Sequence, residues 1–201
     1  VRAADLLPLY EYLVEISFAK QEFDKYVDYL NEVIEFKKIT EYSDFHIAVD
    51  YLDLAKFYCN NQDDKKNSKK YIKKVERIER KISSSYEKDL LSISIADFYS
   101  GHSCSIYKDE VVLNQNIARL ENVLDSSVEL NNQENEMMAL ERLIQSDRDL
   151  IWLKTGQSGY GSASERQHKY AIRAYNLFVE QNIIPSYKGQ DSIIDALIYS
   201  E

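Results

Sequence analysis

Five glycines and two prolines are all that 201 residues hold. A chain with so few interrupters has few places to turn sharply, and long helices are the expected product. Valine and isoleucine are present, but no sustained apolar/polar alternation runs between paired turn signals, so a sheet is not expected. The length suits one domain over residues 1–201, or one elongated helical array, with enough mass to bury a core. A formal charge of −9 argues against nucleic acid as a partner, because phosphate backbones need a basic face. Cys59 and Cys104 read as two isolated thiols without framework spacing, for which a reduced cytoplasmic compartment is the simplest reading. Neither a signal peptide nor an apolar run of membrane-crossing length is seen, so no membrane partner is expected. The sequence begins at Val1 and reads as an excerpt of a longer chain.

Apolar stripes at helical spacing recur along the chain. Leu6, Leu7, Tyr10, Leu13, Val14 and Phe18 form the first, and Phe23, Tyr26, Val27, Leu30, Val33 and Ile34 the second. Residues 19–22 hold no strong breaker, so one long helix and a tight hairpin both fit. A third stripe (Phe45, Val49, Leu52, Ala55) ends near Cys59 and gives way to a polar run carrying Lys65, Lys66, Lys69 and Lys70. Tyr71, Val75, Ile78 and Ile82 mark a fourth helix, residues 86–101 a fifth, and residues 106–130 one long helix. Met137, Leu140, Leu143 and Ile144 open a helix that continues to Lys154, with Trp152 as an expected aromatic core anchor and Met137-Met138 as core filler. At the end, Pro185 and Gly189 read as stops. Asp191 or Ser192 then caps a last helix with Asp195 as the partner of a capping box, and Ile193, Ile194, Leu197 and Ile198 form its stripe.

Catalytic and metal patterns are weak. His46, Cys59, His102 and Cys104 match no zinc spacing, and His102 and Cys104, two residues apart, do not face each other on a helix. The loop with Gly156, Gly159 and Gly161 follows no strand and precedes no Gly-Lys-Ser/Thr, so it is no nucleotide cradle. Neither an enzyme activity nor a cofactor is expected.

Several segments, met in order, resemble the 14-3-3 family. Residues 19–27 are similar to its second helix, residues 44–59 to its third, and residues 71–79 to the start of its fourth. Ala96-Asp97-Phe98-Tyr99 falls on that family's Gly-Asp-Tyr-Tyr, Leu143-Ile144-Gln145 on its Ala-Leu-Asn, residues 170–180 on its eighth helix, and residues 185–201 on the opening of its terminal helix. The resemblance implies an all-α, right-handed array of about nine antiparallel helices with a concave groove. It also implies an adaptor that binds phosphorylated Ser/Thr segments of partner proteins in that groove.

On the matching positions, Tyr58, Lys65, Lys66, Ser100 and Gly101 stand at the phosphate end, while Ile144, Gln145, Ile193, Leu197 and Glu201 line the peptide wall. The phosphate pocket is degenerate. Tyr58 and Ile93 stand where the family has lysines, and Ser100-Gly101 where it has the Arg and Tyr that hold phosphate; a serine donates one hydrogen bond and neutralises nothing. The family's dimer contacts fall on Glu22, Lys25 and Lys74, implying a homodimer that is altered or weaker than usual. The stretches before Tyr71 and after Ile82 are shorter than the family needs, so the sequence either lacks parts of two helices or joins separate pieces near 60–70 and 82–86. The alternative is a tetratricopeptide-like scaffold for unmodified peptides or partner helices, although no 34-residue period recurs and Val14 and Tyr26 are large for its close helix crossings.

Overall fold

The computed structural model describes residues 3–100, 109–156 and 164–198. Among these residues the chain is all-α, with nine helices: α1 Ala3–Ala19, α2 Phe23–Ile39, α3 Asp44–Asn60, α4 Lys65–Glu79, α5 Ser85–Ser100, α6 Glu110–Glu129, α7 Gln133–Thr155, α8 Glu165–Gln181 and α9 Tyr187–Ile198. No described helix is long and apolar enough to cross a membrane. The residues gather into two compact units, 1–84 and 85–201.

A chain so poor in glycine ends its helices by another route. Gln21, Glu41, Asp63, Asn131 and Asn182 all adopt the left-handed conformation, with φ between 47° and 59°. Each follows a helix. At all five the next residue's N–H reaches back to the helix end, and at three of them with the span of a Schellman motif: Glu22 to the Ser17 carbonyl, Tyr42 to Lys37 and Asn132 to Ser127. The ambiguity at residues 19–22 is thereby resolved as a tight hairpin, turned at Gln21.

In unit 1, α1 packs on α2, α2 on α3 and α3 on α4. Its core takes Leu30, Val33, Ile34, Leu52, Ala55, Tyr71 and Val75 from the expected stripes, and adds Leu54 and Ile72. An aromatic group closes the α1–α2 end, with Tyr26 5.2 Å from Phe18 and 4.8 Å from Phe57 between ring centroids. A buried ion pair ties α2 to α3: Lys37 Nζ stands 3.0 Å from Asp50 Oδ2 and also 3.4 Å from Glu11 of α1. Burial pushes the Asp50 carboxyl up, against the pull of Lys37. The chain turns from α3 into α4 over four residues, and Asp64 caps α4 by accepting from the Asn67 N–H at 3.0 Å.

In unit 2, α7 touches α5, α6, α8 and α9. Leu113, Leu120, Leu140, Leu143 and Ile144 are its fully buried centre. The last helix differs from the sequence expectation. It begins at Tyr187, not after Gly189, and its cap is Ser186, whose Oγ accepts the Gly189 N–H at 3.0 Å. Trp152, expected as a core anchor, is 49% exposed, and Met138 is exposed while Met137 is buried.

Two measurements test these features. A left-handed φ costs an ordinary L-residue roughly 1–2 kcal/mol, so Gln21→Gly should raise the unfolding free energy in urea by about 1 kcal/mol, and Gln21→Val should lower it. Tyr26 is buried and its phenol is pushed up to about 12 from 10.0, mainly by burial. Below pH 10 it costs nothing; above that, the unfolded chain sheds the proton while the folded one holds it, so stability falls toward pH 12. Urea titrations near pH 9 and near pH 11 should show the wild type losing more stability than Tyr26→Phe.

Candidate functional site

Three of the residues expected at the phosphate end, Tyr58, Lys65 and Lys66, lie in unit 1 on either side of the short turn after α3. The Asp64 N–H donates to the Tyr58 carbonyl at 2.8 Å, which sets the last turn of α3 beside the first turn of α4. Lys65 and Lys66 occupy that first turn and are exposed. Cations there oppose the helix macrodipole, which favours negative charge at this end by about 0.3–1 kcal/mol per group. Asp64 supplies part of that charge as the cap; hydrogen bonds from the Asn67 backbone, then its side chain, hold the carboxyl below its ordinary range.

The Tyr58 ring stacks on Tyr71 at 5.5 Å and an interplanar angle of 6°, and Tyr71 stacks on Tyr51 at 6.0 Å. Burial is the main force pushing the Tyr58 phenol up, with Tyr71, Asp64, Asp28 and Asp24 adding to it, so the hydroxyl keeps its proton and can donate. Lysines rim this stack. Lys74 Nζ lies 4.3 Å from the Tyr51 centroid and 5.0 Å from that of Tyr71, with Lys70 at 5.1 Å from Tyr71 and Lys38 at 5.5 Å from Tyr51.

The other dimer positions are also engaged within the chain. Glu22 and Lys25 pair with each other at 2.9 Å on the surface, which lowers the glutamate and raises the lysine.

Unit 2 uses most of its expected site residues as structure. Ser100 is 7% exposed; its hydroxyl lies 3.1 Å from the Ser146 hydroxyl and accepts from Asn116 Nδ2, which also donates to the Ala96 carbonyl at 3.0 Å. This buried network joins α5, α6 and α7. Ile93 is core, and Ile144 and Ile193 sit in the same buried cluster, with Leu197 packed against it. Gln145 is half-buried and donates to Asp149 one turn on, at 3.2 Å. Gly101 and Glu201 lie outside the described residues, as do His102 and Cys104. Cys59, read from the sequence as an isolated thiol, is disulfide-bonded.

Sequence reasoning passed over two features of unit 2. Glu141 of α7 is buried, and instead of an arginine it meets the start of α9. It accepts the Ser186 N–H at 2.6 Å and the Ser186 hydroxyl at 2.7 Å, a carboxylate at a helix N-terminus. Gly189 makes this possible, since a Cβ there would overlap the Glu141 carboxyl. The second feature is an apolar cavity of about 290 Å³ between α8 and α9, lined by Tyr175, Phe178, Pro185, Ile194 and Leu197 among others. Its signal in the sequence was α9's stripe being too wide for one buried face: Ile194 and Ile198 are exposed.

No family model, no curated protein and no solved structure matches the chain.

Alanine inside a helix ordinarily gains about 1 kcal/mol over glycine. At Gly189 the sign should reverse: Gly189→Ala should lower the melting temperature, and removing the obstructing carboxyl in Gly189→Ala/Glu141→Ala should leave the alanine no longer harmful relative to Glu141→Ala alone.

Proposed function

We propose that this chain is an adaptor that binds phosphorylated Ser/Thr segments of partner proteins, as its resemblance to 14-3-3 implies, with a reduced set of phosphate donors. The carrying observation is the first turn of α4. Lys65 and Lys66 stand exposed at a helix start where their charge is disfavoured, one turn of chain from Tyr58, and among the described residues neither forms an ion pair. A phosphoserine carries close to two negative charges and three strong acceptor oxygens, which two ammonium groups and one phenolic hydroxyl can meet.

Buried against Ser146 and Asn116, Ser100 is not an exposed donor. Without a guanidinium fork, binding is weaker and less geometrically selective than in an arginine-based pocket. The concave right-handed array, a wall using Gln145 and Leu197, and an altered dimer through Glu22 and Lys25 belong to this same proposal. It involves no catalysis.

A second reading has one observation in its favour. Unit 1 is two successive helical hairpins of nearly equal helices, 17 and 17 residues followed by 17 and 15, as in scaffolds that bind unmodified peptides. Fluorescence anisotropy with a phosphopeptide and its unphosphorylated twin separates the two. The phosphorylated form should bind at least about tenfold tighter, a preference that Lys65→Glu/Lys66→Glu removes while the far-UV circular dichroism is unchanged. Equal affinity for the twins overturns the phosphate reading in favour of the scaffold.

A further inference from the structure

Helix α4 carries far more positive charge than the phosphate end of the proposal uses. Residues 65–81 hold nine basic and two acidic side chains, a local charge of +7 that leaves −16 on the rest of the chain. The buried side of α4 is Ser68, Tyr71, Ile72, Val75 and Glu79. Opposite it, Lys66, Lys69, Lys70, Lys73, Arg77 and Arg80 are all exposed. At 100° per residue these six fall within roughly 100° of arc, and from Lys66 to Arg80 they run for about 20 Å. Among the described residues none of the six has an ion-pair partner, and Glu79, one of the two acids on the helix, is turned inward. An ordinary solvated helix face alternates its charges, with pairs of opposite sign a turn apart. Here the arc itself is all basic, with one acid, the half-buried Glu76, at its edge.

We propose that the exposed face of α4 is a docking strip for an extended run of aspartates and glutamates in a partner protein, lying beside the phosphorylated residue. The occupant follows from charge and length. An extended chain advances about 3.3 Å per residue, so six or seven residues span the strip. A lipid surface fits less well, since membrane-lying helices place large apolar groups on the face that meets the bilayer and this face has none. A long nucleic acid would meet the same strip, but also the strongly acidic remainder of the chain. A short acidic segment is drawn to the strip without that opposition. The strip shares Lys66 with the phosphate end but reaches beyond it through Lys70, Lys73, Arg77 and Arg80, so it deepens the phosphopeptide reading without requiring it.

The test uses the full chain and three labelled peptides: a short phosphopeptide, the same phosphopeptide extended by six acidic residues, and the acidic run alone. At about 50 mM salt the extension should tighten binding at least about tenfold, and the gain should fall steeply as salt is raised. Arg77→Glu/Arg80→Glu should abolish the gain while leaving the short phosphopeptide's affinity unchanged, which also shows that the variant is folded. If phosphorylation makes no difference but the acidic run still binds the wild type and not this variant, the strip stands and the phosphate reading falls. No gain from the extension, or a gain equal in the variant, overturns the strip. Tighter binding of single-stranded RNA or of phosphatidylserine vesicles, with the same dependence on Arg77 and Arg80, overturns the choice of occupant.

Discussion

Unit 2 is organised by the need to give partners to the acids of one buried helix. α7 places Glu136, Glu141, Asp147 and Asp149 where water hardly reaches them, and an ionised carboxylate there is costly unless something answers it. α8 and α9 bring the answers. Arg173 of α8 meets Glu136 at 2.8 Å, Ser164 and Arg166 at the start of α8 meet Asp147, and the capped start of α9 meets Glu141. On the outer part of the helix, Arg142 reaches Asp97 of α5 at 2.9 Å and Arg148 reaches Asp195 of α9 at 3.4 Å. Apolar burial holds these helices together, but it is non-directional; the fixed positions of the polar partners specify which residue of each helix lies against which of α7. Ser100, Asn116 and Ser146 do the same between α5, α6 and α7.

The existence of the helices could be read from the sequence because their apolar periodicity is local information. Leu30, Val33, Ile34 and Val75, and likewise Leu140, Leu143 and Ile144, are buried as their spacing requires. The helix ends were harder. Glycine and proline are the usual punctuation, and here Gln21, Glu41 and Asp63 turn the chain while looking like ordinary surface residues. Gly189 misled in the opposite direction. It reads as a breaker but lies inside α9, and the reason sits far away in the sequence, in the space that the Glu141 carboxyl needs.

The candidate site was legible only where it depended on neighbours in sequence. The last turn of α3, with Tyr58, and the first turn of α4, with Lys65 and Lys66, are neighbours because four residues of turn connect them. Ser100 could be placed on a helix but not oriented, because what claims its hydroxyl is Asn116, 16 residues on, and Ser146, 46 residues on. Ile144 and Ile193 carried the same ambiguity: an apolar residue on a helix can line a wall or fill a core, and both belong to the core cluster. Cys59 was misjudged because a disulfide depends on distance in space, which spacing in the sequence does not reveal.

The lysines that open α4 have a further consequence. Their mutual repulsion, and their conflict with the backbone dipoles beneath them, would be relieved by an anion settling there. Under the proposed function, occupancy and the thermal resistance of unit 1 would be linked variables, and the melting curve would gauge what the first turn of α4 binds.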